Sequence, residues 1–191
     1  FHVAGVLDDG LLMDQDEARF QHVAAAKIIG ARHLDEASRT CALDAFVLIS
    51  SAAAMIGSPG QSNYAASNAY LDALALHRHA AGLPACSVAF GPWAESHMAT
   101  GDSRDRWSRR GITPTSPTEH LNRLGSFMAA RTPLVLTMDT DWERLVEHQG
   151  YVAEVLKNLV TAPRAAVGMD LASLPARSRL DALLAVVESE A

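Results

Sequence analysis

The sequence is poor in the residues that build metal centres and disulfide frameworks. Among its 191 residues are two cysteines, Cys41 and Cys86, which form no C-x-x-C pair and have no histidine at metal-ligand spacing. The eight histidines are scattered, and no H-E-x-x-H pattern occurs among them. We therefore expect no metal site, and we interpret both cysteines as reduced, buried thiols.

Strong charge of one sign and long apolar runs are also missing. Lys and Arg number 16 against 22 acidic residues, which gives a net charge of −6. Only residues 104–110 are locally basic, which is typical of a solvated helix face or a lid segment. The N-terminus has the features of neither a signal peptide nor a membrane span. These absences argue against nucleic-acid and membrane partners and favour a cytoplasmic protein.

Short apolar runs alternate with helical patterns along most of the chain. Continuous apolar runs predict buried strands, and a period near 3.6 predicts helices. The predicted strands lie at residues 1–6, 45–49, 85–90 and 134–138, and the predicted helices at about 14–38, 63–82, 118–130 and 141–159. This alternation predicts βαβ units, and therefore a parallel sheet with helices on both faces. The long polar connection after residue 93 is of a kind that often forms a lid.

Four polar residues are expected to meet at the carboxyl ends of these strands, where ligands bind in such sheets. Ser51 follows a strand, Tyr64 begins the next helix, and Asn68 lies one turn further on. Lys27 interrupts the apolar stripe of the earlier helix. A tyrosine with a pKa near ~10 is a poor acid at neutral pH unless a cation stabilises its phenolate.

These residues predict a site for carbonyl reduction. Ser51 would polarise a carbonyl oxygen and Tyr64 would donate the proton. Lys27 would lower the pKa of Tyr64, and Asn68 would hold the lysine or a relay water. The hydride must come from a cofactor, because no side chain provides one. Taken singly, each residue also has an ordinary interpretation, as a packed aromatic, a capping serine, an exposed asparagine or a snorkelling lysine.

Three segments around these residues resemble the ketoreductase domain of modular type I polyketide synthases, a branch of the short-chain dehydrogenase/reductases. They are residues 46–51 (F-V-L-I-S-S), 60–72 (G-Q-S-N-Y-A-A-S-N-A-Y-L-D) and 82–85 (G-L-P-A). In most of that superfamily the lysine follows the tyrosine and the asparagine is on the earlier helix. Here Lys27 and Asn68 are exchanged, as in polyketide and related fatty-acid synthase ketoreductases. The resemblance extends over residues 1–159.

The resemblance implies a Rossmann-like doubly wound parallel sheet with flanking helices, without its N-terminal strands. It also implies NADPH-dependent reduction of a β-ketoacyl thioester tethered through phosphopantetheine to an acyl carrier protein. The four polar residues match the catalytic tetrad, and residues 94–115 match a lid with Met98 near its start. The implied partners are the carrier protein and other domains of a homodimeric synthase. The implied cofactor contacts are Ala4, Gly5, Ser50, Phe90, Gly91 and Pro92.

The resemblance also implies a stereochemical type. Leu7-Asp8-Asp9 matches the motif of B-type ketoreductases, which form the D (3R) hydroxyl. Ile56 stands where A-type domains have tryptophan, and Gln61 where one A subtype has histidine. Ala66 stands where the epimerising B subtype has proline, which favours the B1 subtype. Taken without the resemblance, Asp8 and Asp9 are also compatible with a simple polar turn.

Several family features are missing from the sequence. No G-x-G-x-x-G loop occurs, and the first residue is not Met. We therefore expect residues 1–160 to be the C-terminal part of a ketoreductase catalytic domain that is inactive alone. Residues 161–191 are interpreted as a linker and the start of a carrier-protein-like helix. Two alternatives stay open: a non-catalytic structural segment of a megasynthase, and a free-standing short-chain reductase.

Overall fold

The computed structural model describes residues 1–96, 101–149 and 153–160. The helices are α1 (Glu17–Ala24), α2 (Gly30–Ser38), α3 (Ala53–Ile56), α4 (Ser62–Ala80), α5 (Gly101–Arg109), α6 (Pro117–Ala130) and α7 (Trp142–Gln149). The strands are β1 (Val47–Ser51), β2 (Cys86–Phe90), β3 (Ile112–Thr113), β4 (Leu134–Thr137) and β5 (Asp139–Thr140). The chain divides into two compact units after Asp141, and the first unit contains all of these strands.

A three-stranded parallel sheet in the order β1-β2-β4 forms the centre of the first unit. β1 and β2 pair over their full lengths, starting from Val47 opposite Cys86. His2 extends the sheet beyond β1 by one residue, since its amide donates to Val47 O at 2.8 Å and its carbonyl accepts from Ile49 N at 3.0 Å. The strand predicted at residues 1–6 is therefore a single bridge at His2.

Helices cover both faces of this sheet, because alternate residues of a strand point to opposite sides. Leu48 packs on α2 and α4, whereas its neighbour Ile49 packs with β2 and α6. The first cluster is Ala31, Phe46, Leu48, Leu71, Leu74 and Ala75, and the second is Cys86, Val88 and Phe90 with Ile49, Trp93, Leu124 and Phe127 packed against it. Burying each large apolar side chain contributes about 1.5–3 kcal/mol. This arrangement confirms the predicted α/β class.

The long helix predicted at residues 14–38 is present, but it contains a π-helical turn. α1 leads directly into a π turn at Ala25–Ile29, which leads into α2. Asp16 caps the start, where its side chain accepts from Arg19 N at 2.9 Å. Lys27 lies inside the π turn and is buried. Single π turns are rare and occur frequently at functional sites.

Two helix ends follow the expected chemistry. Gly82 has φ +74° just beyond α4, and Leu83 N donates to Arg78 O at 2.9 Å, which closes the helix as a glycine C-cap does. Ser116 caps α6 by accepting from Glu119 N at 3.3 Å, with proline in the first turn.

Other predictions were wrong in detail. The helix expected from residue 63 begins one residue earlier, at Ser62, whose buried hydroxyl has no partner among the described residues. Cys41 is exposed rather than buried. The helix predicted to residue 159 ends at Gln149. Neither α3 nor α5 was predicted, and residues 161–191 lie outside the described residues.

None of the described helices is both long and apolar enough to cross a membrane.

A buried ion pair joins α2 to α4. Arg78 Nη1 donates to Asp35 Oδ1 at 2.5 Å, and both side chains are almost fully buried. The Arg78 guanidinium also lies 3.9 Å from the centroid of the Phe46 ring. Burial raises the pKa of the Asp35 carboxyl, but hydrogen bonds from Arg39 and Arg78 outweigh it and leave that pKa below its usual value.

Arg78→Met is expected to destabilise the fold by about 3 kcal/mol, because it leaves a buried carboxylate with only its surface partner. Arg32→Gln is the matched control, since Arg32 forms an exposed pair with Glu36 at 3.7 Å. Loss of that pair should change the free energy of unfolding by less than about 1 kcal/mol. Urea unfolding measures both, and equal effects of the two substitutions would contradict this role for Arg78.

Candidate active site

A cavity of about 400 Å³ opens at the carboxyl ends of β1 and β2. This volume lies in the range of about 300–1,000 Å³ that is usual for small-molecule sites. The predicted site residues that line it are Gly5, Leu7, Lys27, Ser50, Ser51, Ile56, Gln61, Tyr64, Phe90, Gly91 and Pro92. Ala4, Asp8, Asp9 and Asn68 do not line it, and Met98 lies outside the described residues.

Ser51 and Tyr64 reach this cavity from two consecutive elements. Ser51 is the last residue of β1, and its hydroxyl accepts from Ala53 N at 3.2 Å, which ties it to the start of α3. Tyr64 lies in the first turn of α4. The turn between strand and helix thus places a hydroxyl and a phenol on one wall.

The phenol of Tyr64 is kept protonated at neutral pH. Burial raises its pKa above the usual value, while hydrogen bonding with Ser51 and Asn68 lowers it and the charge of Asp9 raises it. The expectation that Lys27 lowers this pKa stays a prediction, whereas the net shift of the Tyr64 pKa is upward. The physical reason is that the desolvation of a buried phenolate outweighs the nearby donors.

Lys27 brings a buried cation to the same wall. Only 3% of the residue is exposed, and its Nζ donates to Ile49 O at 3.1 Å. Nζ also lies 5.5 Å from the centroid of the Tyr64 ring. Burial lowers the pKa of Lys27 to about 8, against the opposing charge of Asp72. The ammonium is therefore still mostly protonated at pH 7.

Gly5 makes room for this lysine. A Cβ at Gly5 would lie 3.2 Å from Lys27 Cε, which is closer than side chains normally approach. The backbone at Gly5 therefore packs directly on the lysine stem, and both residues line the cavity.

Asn68 lies just behind the cavity wall and is fully buried. Its Nδ2 donates to Tyr64 O at 2.9 Å, one helical turn back. Its Oδ1 is buried and accepts no hydrogen bond from the described part of the chain. Because an unpaired buried acceptor costs about 1–3 kcal/mol, this atom is suited to accept from a water or an ammonium.

A polar network that the sequence did not indicate continues below the tetrad. Asp72 Oδ1 accepts from Ser87 Oγ at 2.6 Å, and Ser50 Oγ donates to Asn68 O at 3.3 Å. Tyr64, Asn68 and Asp72 follow one another at intervals of four residues, so they share one face of α4. That spacing was the available signal for Asp72.

The charged side chains at the cavity favour an anionic ligand. Among the described residues that line it, Lys27 and Arg110 carry positive charge and no Asp or Glu is present. Gly91 admits no side chain, because a Cβ there would lie 2.6 Å from Met138 Cβ. The two positive charges are compatible with a phosphate-bearing dinucleotide such as NADPH.

Several lining residues outside the predicted set come from the segment that was expected to form a lid. Trp107 and Arg110 lie in and just after α5, Ile112 lies in β3, and Met138 follows β4. For Trp107, Arg110 and Ile112, the only signal in the sequence was their place in the expected lid, since their residue types belong to no motif.

Comparisons with known proteins match polyketide synthases and their ketoreductase domains. A family model described as "KR domain" matches residues 1–95. Polyketide synthase GfsB of Streptomyces halstedii is 43% identical over 205 residues, which cover 99% of this chain. A solved structure described as "A-type Ketoreductases from Modular Polyketide Synthase" is 41% identical with a TM-score of 0.75, and "the first ketoreductase of the tylosin PKS" is 42% identical with a TM-score of 0.74.

Each of these structures is matched over 78% of this chain. The fold is therefore Rossmann-like, as the sequence predicted. The chain spans 4% of the length of GfsB, and 32% and 33% of the two solved chains.

Lys27→Met is expected to stabilise the fold by about 1–3 kcal/mol at pH 7, because it removes a buried ammonium. The folded-state pKa of about 8 lies below 10.5, the usual value for a solvated lysine. The gain should therefore be complete below pH 8 and decrease as the pH rises toward 10.5, where the unfolded lysine also loses its proton.

Unfolding at several pH values tests this, with Lys157→Met as the control because Lys157, the only other lysine, is exposed. NMR titration of the two lysines gives the pKa of Lys27 directly. A Lys27 pKa near 10.5 would contradict the expectation.

Proposed function

The chain belongs to the ketoreductase family of modular polyketide synthases, and from this premise we propose that it carries the proton-donating part of a β-ketoacyl reductase site. The substrate would be a β-ketoacyl thioester on an acyl carrier protein, and the product a D (3R) β-hydroxyacyl thioester. The observation that carries the proposal is the meeting of Lys27, Ser51 and Tyr64, from three separate elements, at one cavity.

The tetrad residues divide the proton chemistry among them. Ser51 donates a hydrogen bond to the ketone oxygen, and Tyr64 transfers its phenolic proton to that oxygen as negative charge develops there. NADPH, when bound, supplies the hydride to the carbonyl carbon. The product thus gains one C–H and one O–H bond, and Tyr64 is left as a phenolate.

Lys27 and Asn68 then serve the phenolate. The protonated Lys27 beside the ring stabilises the negative charge, which offsets the cost of burying it. Asn68 Oδ1 accepts from the lysine or from a water that returns the proton to Tyr64. The raised pKa of the resting phenol favours the return of this proton, so Tyr64 is protonated again before the next reduction.

We assign the cofactor to the part of the cavity lined by Gly5, Ser50, Phe90, Gly91 and Pro92. The positive charges of Lys27 and Arg110 support an anionic occupant, and the absence of side chains at the glycines leaves the backbone accessible. Because the sequence has no G-x-G-x-x-G loop, we propose that this chain alone does not turn over substrate.

Residues 94–115 are proposed to act as a lid. Trp107, Arg110 and Ile112 from this segment line the cavity together with tetrad residues, which supports the assignment. Closure of such a segment would exclude water from the reacting carbonyl.

The partners are proposed on the same basis. We infer that an acyl carrier protein presents the phosphopantetheine-bound substrate and that other domains of a homodimeric synthase accompany residues 1–160. The carrier-like interpretation of residues 161–191 and the cytoplasmic location stay predictions.

Tyr64→Phe in the full synthase module that contains this chain is expected to reduce NADPH-dependent turnover of a β-ketoacyl thioester by at least about 100-fold, because it removes the proton donor. Tyr70→Phe is the matched control, since Tyr70 lies on the same helix and packs against the core. NADPH absorbance measures the rate. Equal rates for Tyr64→Phe and the parent would contradict the catalytic role of Tyr64. A parent module that never consumes NADPH would favour a structural role for this chain.

The product of the parent module is expected to be the D (3R) hydroxyl, because Leu7, Ile56 and Gln61 of the B-type pattern all line the cavity. Chiral chromatography of the released product measures this. A predominance of the L (3S) hydroxyl would show that the B-type assignment is wrong.

A further inference from the structure

The guanidinium of Arg19 holds the segment that carries Leu7, Asp8 and Asp9. Its Nε donates to Asp8 Oδ1 at 2.8 Å and its Nη2 lies 2.7 Å from the same oxygen. Nη2 also donates to Asp9 O at 2.6 Å, and Nη1 donates to Asp14 O at 3.2 Å. One side chain thus binds two residues of the segment and also Asp14.

Gly10 is adapted to this contact. A Cβ at Gly10 would lie 2.6 Å from Arg19 Nη1, and its neighbours Cζ and Nη2 would be only 3.0 Å away. Any larger residue at position 10 would push the guanidinium out of its place. The guanidinium therefore needs glycine at position 10 to keep this place.

A second set of hydrogen bonds ties the same segment to the start of α4. Gln61 Nε2 donates to Asp9 Oδ2 at 3.0 Å, and Asn63 Nδ2 donates to Asp8 O at 2.8 Å. Gly10 N donates to Gly60 O at 2.8 Å. The segment is thus held between α1 and the turn that precedes Tyr64.

These contacts leave only one residue of the motif at the cavity. Leu7 lines it, whereas Asp8 and Asp9 do not, because their carboxylates are bound to Arg19 and Gln61. The acidic residues of the motif therefore hold the segment in place, and Leu7 is the motif residue that faces the cavity.

We propose that Arg19 is a positioning residue for stereocontrol, which fixes Leu7 at the cavity through Asp8 and Asp9 without touching the substrate. The proposal rests on the proposed ketoreductase function. Arg19 would thereby decide which face of the ketone the cavity presents, and Gln61 would support it from the opposite side.

The shape of the guanidinium explains why arginine is suited to this place. Arginine has five donors in a fixed planar fork, whereas lysine concentrates its three donors on one nitrogen. Arg19→Lys would keep the charge beside Asp8 but lose the simultaneous contacts to Asp9 and Asp14. The Arg19–Asp8 pair is 29% and 27% exposed, so it contributes little to stability, and its main effect is geometric.

The test compares Arg19→Gln and Arg19→Lys with the parent in the full synthase module. NADPH consumption and the ratio of D to L product are measured on a β-ketoacyl thioester. Arg19→Gln is expected to lower the D to L ratio by about tenfold or more while turnover changes by less than about threefold. The ratio for Arg19→Lys should lie between those of the parent and Arg19→Gln. Arg32→Gln is the matched control, because Arg32 is an exposed arginine on α2, and it should leave the ratio unchanged.

Hydrogen exchange of the Gly10 amide provides a readout that needs no activity. This amide donates to Gly60 O, so a loosened segment should exchange about tenfold faster in Arg19→Gln than in the parent or Arg32→Gln. An unchanged product ratio in an active Arg19→Gln module overturns the proposal, as does unchanged Gly10 protection. A parent module that reduces nothing overturns the ketoreductase function instead, and the stereocontrol role falls with it.

Discussion

The buried ammonium of Lys27 is the constraint on which the rest of the site depends. Removing a charge from water is expensive, and it is tolerated only where polar groups surround it. Here the Ile49 carbonyl accepts from the ammonium and the Tyr64 ring lies beside it. Asp72 adds an opposing charge from below. The π turn carries the lysine, and Gly5 leaves space for its stem, so both local departures from regular structure occur where the charge is buried.

Helix α4 connects the proposed proton donor to the segment that carries Leu7. Its inner face carries Tyr64, Asn68 and Asp72 in succession, and its first residues bind the segment that presents Leu7. A shift of the start of α4 would therefore move the phenol and the substrate-facing segment together. The buried ion pair between Arg78 and Asp35 fixes the other end of the same helix, far from the cavity along the chain. One helix thus carries the candidate proton donor near its start and a buried ion pair near its end.

The sequence was informative where a local pattern reports directly on structure. Apolar runs located β1, β2 and β4, and the four-residue interval between Tyr64 and Asn68 placed both on one face of a helix. It failed where burial and partners decide the outcome. The periodicity of residues 14–38 gave an unbroken helix, because a π turn changes the register by one residue without a composition signal. The sequence also did not predict the short helix α3, the burial of the Ser62 hydroxyl or the exposure of Cys41. Each of these features depends on what packs around it.

The sequence by itself determined the α/β class, the order of its elements and the residue types available for proton transfer, because periodicity and spacing are properties of the chain alone. Only the tertiary structure decided the state of those residues. Burial raises the pKa of Tyr64 and lowers that of Lys27, and neither direction follows from spacing, since desolvation depends on every neighbour. The same holds for Asp8 and Asp9. The resemblance implied a role for both in stereocontrol, whereas the fold places Arg19 and Gln61 against them and leaves Leu7 at the cavity.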